Sequence, residues 1–144
     1  MKRLITLTIP ITLAACTTLG NVEKQALHDR AIADARSQPK EIHLAYLQCY
    51  ALRDVDKDSC KRKVKQTIEG RNGASTWEYI LPFDYEAERL GFQAFLRDHG
   101  KSCAGIDKGP EFNSDTKAYD VICTDGHRYA MRFDYKNEQW ELAE

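Results

Sequence analysis

Three aspartates at alternate positions, Asp54, Asp56 and Asp58, come nearest in this chain to a metal-binding pattern. A calcium loop of that kind needs glycine at its sixth position and a bidentate glutamate at its twelfth. Those positions hold Ser59 and Lys65, and Cys60 comes too early for an Asp-x-Asp-x-Asp-Gly-x-x-Cys loop. The plainer reading has the acids capping and feeding the N-terminus of a helix, with no metal. His28, His43, His99 and His127 show no ligand spacing, and His99 is placed to meet the negative end of a helix dipole. Glu86 and Glu88, two apart on a helix, point to different sides and make a poor acid–base pair. There is no Gly-x-Ser-x-Gly elbow and no phosphate loop. These residues support no catalytic class and call for no cofactor. Lys61, Arg62, Lys63 and Lys65 form the densest basic cluster. They can meet anionic lipid headgroups, although a run like this more often makes a solvated helix face.

The N-terminus is more specific. Lys2 and Arg3 give a positive start, residues 4–15 an apolar stretch, and Ala14-Ala15 the small residues of a cleavage point. Leu13-Ala14-Ala15-Cys16 resembles the lipobox of bacterial lipoproteins. The resemblance implies that residues 1–15 are removed and that Cys16 becomes the mature N-terminus. Acyl chains, palmitate among them, would then sit on its sulfur and amine. More than one chain gives stable membrane anchoring. Thr17 stands where aspartate signals inner-membrane retention, so the implied address is the outer membrane with the domain facing the periplasm. The inner membrane and the cell surface are the less favoured addresses. The apolar stretch is too short for the ~20 residues of a spanning helix, and Pro10 interrupts it. An ordinary secretory signal would leave a free cysteine at the new N-terminus.

Removing residues 1–15 takes away two of the 21 basic residues and none of the 22 acids, so the mature net charge is −3. That balance argues against nucleic acid as a partner, which needs a basic surface. Five cysteines become four once Cys16 is acylated. In an exported domain four cysteines read as two disulfides with three possible pairings. Cys49 and Cys60 bracket one expected turn and Cys103 and Cys123 another, which selects Cys49–Cys60 and Cys103–Cys123. A four-thiolate zinc site lacks any Cys-x-x-Cys spacing.

The elements that must position these residues follow from periodicity. Residues 16–21 form a short tether, whose five residues after Cys16 reach ~17 Å when extended. A single domain follows over residues 22–144, helical over 22–100 and sheet over 102–143. The spacing predicts a helix over 22–36 with Asn21 as N-cap, and a break at Gln38-Pro39. A second helix over 40–53 follows, the chain turns at 54–57, and a third helix covers 58–69. Gly70, Arg71, Asn72 and Gly73 break the pattern, and residues 76–81 read equally as a short strand or a helical turn. Asp84 is expected to cap a fourth helix with Glu86 and Glu88 in its first turn, ended by Gly100. From residue 102 the period becomes two, predicting strands over 103–107, 118–124, 128–135 and 139–142. Asp125-Gly126 reads as a two-residue hairpin turn. That register puts Ile122, Tyr129, Met131, Phe133 and Trp140 on the helix-facing side. Tyr119 and Val121 fall on the opposite side, where they and the polar connection 108–117 are the candidate contact surface.

The run Cys103-Ala104-Gly105-Ile106, then Ala118-Tyr119-Asp120-Val121 through Asp125-Gly126 to Arg132-Phe133-Asp134, resembles a PepSY-type module over residues 84–143. Such modules pack a helix on a small sheet with a Tyr-x-Val, Asp-Gly, Val-x-Val-Asp rhythm. The two cysteines and Trp140-Glu141-Leu142 depart from the usual pattern. The resemblance implies a non-catalytic domain of the kind found in peptidase propeptides and envelope accessory proteins.

The expected fold is therefore α+β: a disulfide-stapled N-terminal helical hairpin, then a helix packed on a small antiparallel β-meander. The expected role is a lipid-anchored accessory or binding protein of the cell envelope, not an enzyme, with an envelope protein as partner. Inhibition or sensing of an envelope peptidase or cell-wall enzyme is the alternative.

Overall fold

Proline and glycine punctuate this chain, and several of its element boundaries fall at them. The computed structural model describes residues 20–69 and 77–143. Four helices, α1 (Asn21–Ser37), α2 (Lys40–Tyr50), α3 (Asp54–Glu69) and α4 (Trp77–Asp98), precede four strands. The strands β1 (Ile106–Asn113), β2 (Ala118–Cys123), β3 (Arg128–Asp134) and β4 (Gln139–Ala143) form one antiparallel sheet in the order β1-β2-β3-β4. This is the α+β architecture read from the sequence. The signal stretch, Cys16, the tether up to residue 19 and the breaker at 70–73 lie outside the described residues.

Several boundaries differ from expectation. Gly20, not Asn21, caps α1: its carbonyl accepts the N–H groups of Glu23 at 3.0 Å and Lys24 at 3.1 Å, and the Glu23 carboxylate accepts the Gly20 N–H at 3.2 Å. Pro39 caps α2, which needs no N–H there. α2 stops at Tyr50 and α3 starts at Asp54, so the chain turns at 51–53, not 54–57. The three alternate aspartates thus belong to the opening turns of α3, near the positive end of its dipole.

Asp84 caps nothing. α4 already begins at Trp77 and carries Pro82 inside it. A proline within a helix forfeits one backbone bond. Burial of Phe83, Asp84 and Ala87 straight after it helps hold the helical path. Gly100, at φ 70°, ends the helix as expected, with the Lys101 N–H donating to the Leu96 carbonyl at 2.9 Å.

The sheet departs from expectation in two ways. β1 runs through Gly109-Pro110, so most of the expected loop 108–117 is strand. Two register shifts, between Ile106 and Lys108 and between Lys108 and Glu111, absorb the misfit. Proline is tolerated because β1 is an edge strand. The Asp125-Gly126 turn is also longer than two residues. The Cys123 N–H donates to the His127 carbonyl at 2.9 Å, and Gly126 takes φ 85°. Val121 consequently pairs with Tyr129 and Tyr119 with Met131.

A one-residue change in pairing moves a strand's side chains to the other face. Tyr119, Val121 and Cys123 therefore join Tyr129, Met131, Phe133 and Trp140 on the side facing the helices. Ile122 turns away from them, opposite Arg128.

Two apolar clusters share α2 and α4. Ala31 and Ala35 of α1, Tyr46 of α2, Ile68 of α3 and Phe83 and Ala87 of α4 make the first. The second joins Leu47, Phe92 and Leu96 to Val121, Met131 and Trp140 of the sheet. Cys49–Cys60 ties α2 to α3, and Cys103–Cys123 ties the segment after α4 to β2. Both pairings are those expected from the turns they bracket.

Candidate functional site

Two groupings of side chains stand out, one aromatic and one charged. The aromatic grouping begins at the buried Trp140, whose indole N–H donates to the Leu47 carbonyl at 2.9 Å and so pins β4 to α2. Trp140 touches Tyr119 with ring centroids 5.4 Å apart and Phe133 at 5.5 Å. Tyr119 reaches Phe112 at 5.2 Å, and Phe133 reaches Tyr135 at 5.1 Å. An arc of five rings thus crosses the sheet, and its ends emerge into solvent: Phe112 is 56% and Tyr135 71% exposed.

The last turn of α2 roofs the arc. Tyr50 packs on Tyr119 at 5.5 Å and on Phe92 at 5.1 Å, and the Tyr135 hydroxyl donates to the Ala51 carbonyl at 3.2 Å. Leu52 in the α2–α3 turn and Val55 in the first turn of α3 follow, both exposed. Apolar surface gathered at one place is characteristic of contact sites.

Val121 cannot belong to a contact surface, because it is fully buried in the core. Tyr119 is half-buried, a link within the arc rather than its exposed end. The exposed rings are Phe112 and Tyr135. Phe112 lies in the connection singled out from the sequence, but as a strand residue opposite Tyr119. Its signal was there, since Phe112 is the one aromatic side chain in that polar stretch.

The charged grouping lies where α3 crosses α4. Asp84 and Glu88, one turn apart on α4, are both buried. The Tyr46 hydroxyl donates to Asp84 at 3.0 Å, and the Lys61 ammonium meets Glu88 at 2.5 Å. Burial pushes the Asp84 carboxyl above its ordinary range, while the Tyr46 hydrogen bond and the Lys61 and Lys65 cations pull it back. Burial likewise raises Glu88 against the pull of Lys61 and Lys57. Tyr50 is pushed up to about 12 by burial and by the Glu88 charge beside it, and the Lys57 ammonium sits 4.6 Å from its ring centre.

Glu86 points elsewhere, to Arg36 of α1 at 2.7 Å, so the two glutamates do face different sides. They lie in the middle of α4 and not in its first turn, and each ties a different helix to it. Lys65, one turn beyond Lys61, lies over the Phe83 ring at 5.5 Å.

Chemically this seam is a set of buried, compensated ions that clamps α3 to α4. Among the described residues no group of three or more histidine, cysteine, aspartate or glutamate side chains could hold a metal. No described helix is long and apolar enough to cross a membrane. Comparison with known proteins gives no match to any family model, curated protein or solved structure.

Proposed function

We propose that this chain is a lipid-anchored envelope protein, acylated at Cys16, that acts by binding a partner rather than by catalysis. The order Lys2-Arg3, apolar stretch, Leu13-Ala14-Ala15-Cys16 carries the address, and with Thr17 it favours the outer membrane. Two disulfides suit an exported domain. The arc from Phe112 to Tyr135 supports the binding role, as an apolar strip exposed at both ends on a rigid sheet. Anchoring confines such a surface to two dimensions and raises its effective concentration beside an anchored partner.

A second reading, inhibition or sensing of an envelope peptidase or cell-wall enzyme, draws on the PepSY-like run. Its support is the succession of α4 and a four-stranded meander over the residues that carry the resemblance. Loss of a protease's or lysozyme's activity on adding the protein would favour it.

Cell fractionation tests the anchor. Wild-type protein is expected in the membrane fraction, and Cys16→Ser is expected to leave it for the soluble fraction. A Cys16→Ser protein that stays membrane-bound refutes the lipid tether.

A further inference from the structure

The anchor fixes one end of the molecule, and the charges around that end are uneven. Gly20, which opens the described chain, follows Cys16 by four residues, a span of roughly 13 Å when extended. Whatever surrounds the start of α1 therefore faces the lipid. Before Ala31, the first fully buried residue of α1, every position but the half-buried Leu27 is exposed, including Val22 at 83%. Lys24 and Arg30 there are offset by Glu23, which caps Gly20, and by Asp29, which pairs with His28.

Ala31 and Ala35 then enter the cluster of Phe83, Ala87 and Ile68, so α1 joins the N-terminal half of α4 and the later half of α3. That later half of α3 is where positive charge accumulates. Its aspartates, Asp54, Asp56 and Asp58, all precede Cys60, and Lys61, Arg62, Lys63 and Lys65 all follow it. Lys61 is engaged by Glu88 and Lys65 lies over Phe83. Arg62 and Lys63 are exposed, and no ion pair engages them among the described residues. Leu81 and Tyr85, one turn apart on the adjoining part of α4, are 65% and 67% exposed. Exposed cations on α3, with an exposed leucine and tyrosine on the helix that α3 packs against, are the composition of a membrane-interface surface.

We infer that the lobe formed by α1, the cationic half of α3 and the N-terminal half of α4 docks on an anionic lipid surface. Arg62 and Lys63 meet the headgroups, and Leu81 and Tyr85 enter the interfacial layer. The inference rests on the lipid anchor proposed above and adds an orientation to it: the sheet and its aromatic arc belong to the other core and point away from the bilayer.

The test uses native protein reconstituted into vesicles of phosphatidylglycerol and phosphatidylcholine, or of phosphatidylcholine alone. Labelling by an amine-reactive reagent is read by peptide mass spectrometry at Lys63, with Lys136 in the β3–β4 turn as internal reference. Lys63 is expected to react roughly fivefold more slowly on anionic vesicles, the factor one basic side chain contributes at such a surface. Lys136 should react equally on both. About 0.5 M salt should restore Lys63 reactivity, and Arg62→Glu should reduce its protection.

Equal Lys63 labelling on both vesicles, in protein whose intact mass includes acyl chains, overturns the docking and leaves the anchor standing. Protein that carries no acyl mass refutes the anchor and the orientation built on it.

Discussion

Gly91 sets how closely α2 and α4 approach. A Cβ there would lie 2.4 Å from the His43 carbonyl oxygen and 2.9 Å from the Leu47 Cβ. The first atom is backbone, so no side-chain rotation relieves the clash. His43 cannot retreat easily either, because it is buried and its Nε2 lies 2.8 Å from the Ala35 carbonyl of α1. Gly91→Ala is therefore expected to destabilise the protein by about 2 kcal/mol, within the range for overpacked cores, despite alanine's better helix propensity. Gly109→Ala, where a Cβ meets nothing within 4 Å, should cost less than about 0.5 kcal/mol. Urea unfolding of both variants decides it, and equal losses would contradict the steric account. None of this was legible in the sequence. Apolar periodicity picks out a buried helix face, but a close backbone approach leaves no periodic trace, and a mid-helix glycine reads simply as a weak position.

At the scale of elements, the strongest periodic signals held and the punctuation misled. The four helices, the four-stranded meander and both disulfide pairings follow from apolar spacing and from cysteines that bracket turns. α4 passes through Pro82 instead of starting at Asp84, so Asp84 and Glu88 are buried mid-helix acids and not a cap and its first turn. The β2 face was misassigned because turn length sets register, and Asp125-Gly126 alone does not fix that length.

The seam between α3 and α4 has a pH signature. Asp84 and Glu88 are raised in the fold above 3.8 and 4.5, so the native state keeps protons the unfolded chain releases. Their contribution to stability is complete below those unfolded values and is lost as pH rises through the higher folded ones. Asp134 runs the other way: N–H groups of Lys136 and Asn137 hold it low, so its contribution is lost on acidification. Replacing Asp84 by Asn and Glu88 by Gln together should therefore leave wild type gaining on the variant as pH falls from neutral toward the unfolded values of 4.5 and 3.8. Thermal unfolding across that range checks it, and a gap that stays constant or narrows refutes it.

At the scale of the whole molecule, the proposed function would divide the two cores between holding and presenting. The cluster around Phe83 receives α1, which follows the expected tether in sequence, and the cationic half of α3. The cluster around Trp140 carries the sheet, with the arc running across it between exposed Phe112 and exposed Tyr135. α2 and α4 belong to both, so the arc is held rigidly relative to the lobe around Phe83, and rigidity limits the ordering cost of binding. If the arc is the contact surface, its ends should matter to partners and little to folding. Phe112→Ser and Tyr135→Ser each remove a ring more than half exposed, and each should change stability by no more than about 1 kcal/mol. Combined, they should reduce the yield of partner crosslinked in intact cells by roughly tenfold, as expected when exposed aromatic anchors are lost. Ile122→Ser, on the opposite face of β2, serves as the control and should leave that yield unchanged. An undiminished yield in the double variant, with acylation and unfolding temperature intact, would show that the partner docks elsewhere. The arc would then be the edge of the core, with its outer rings serving only to cover Trp140.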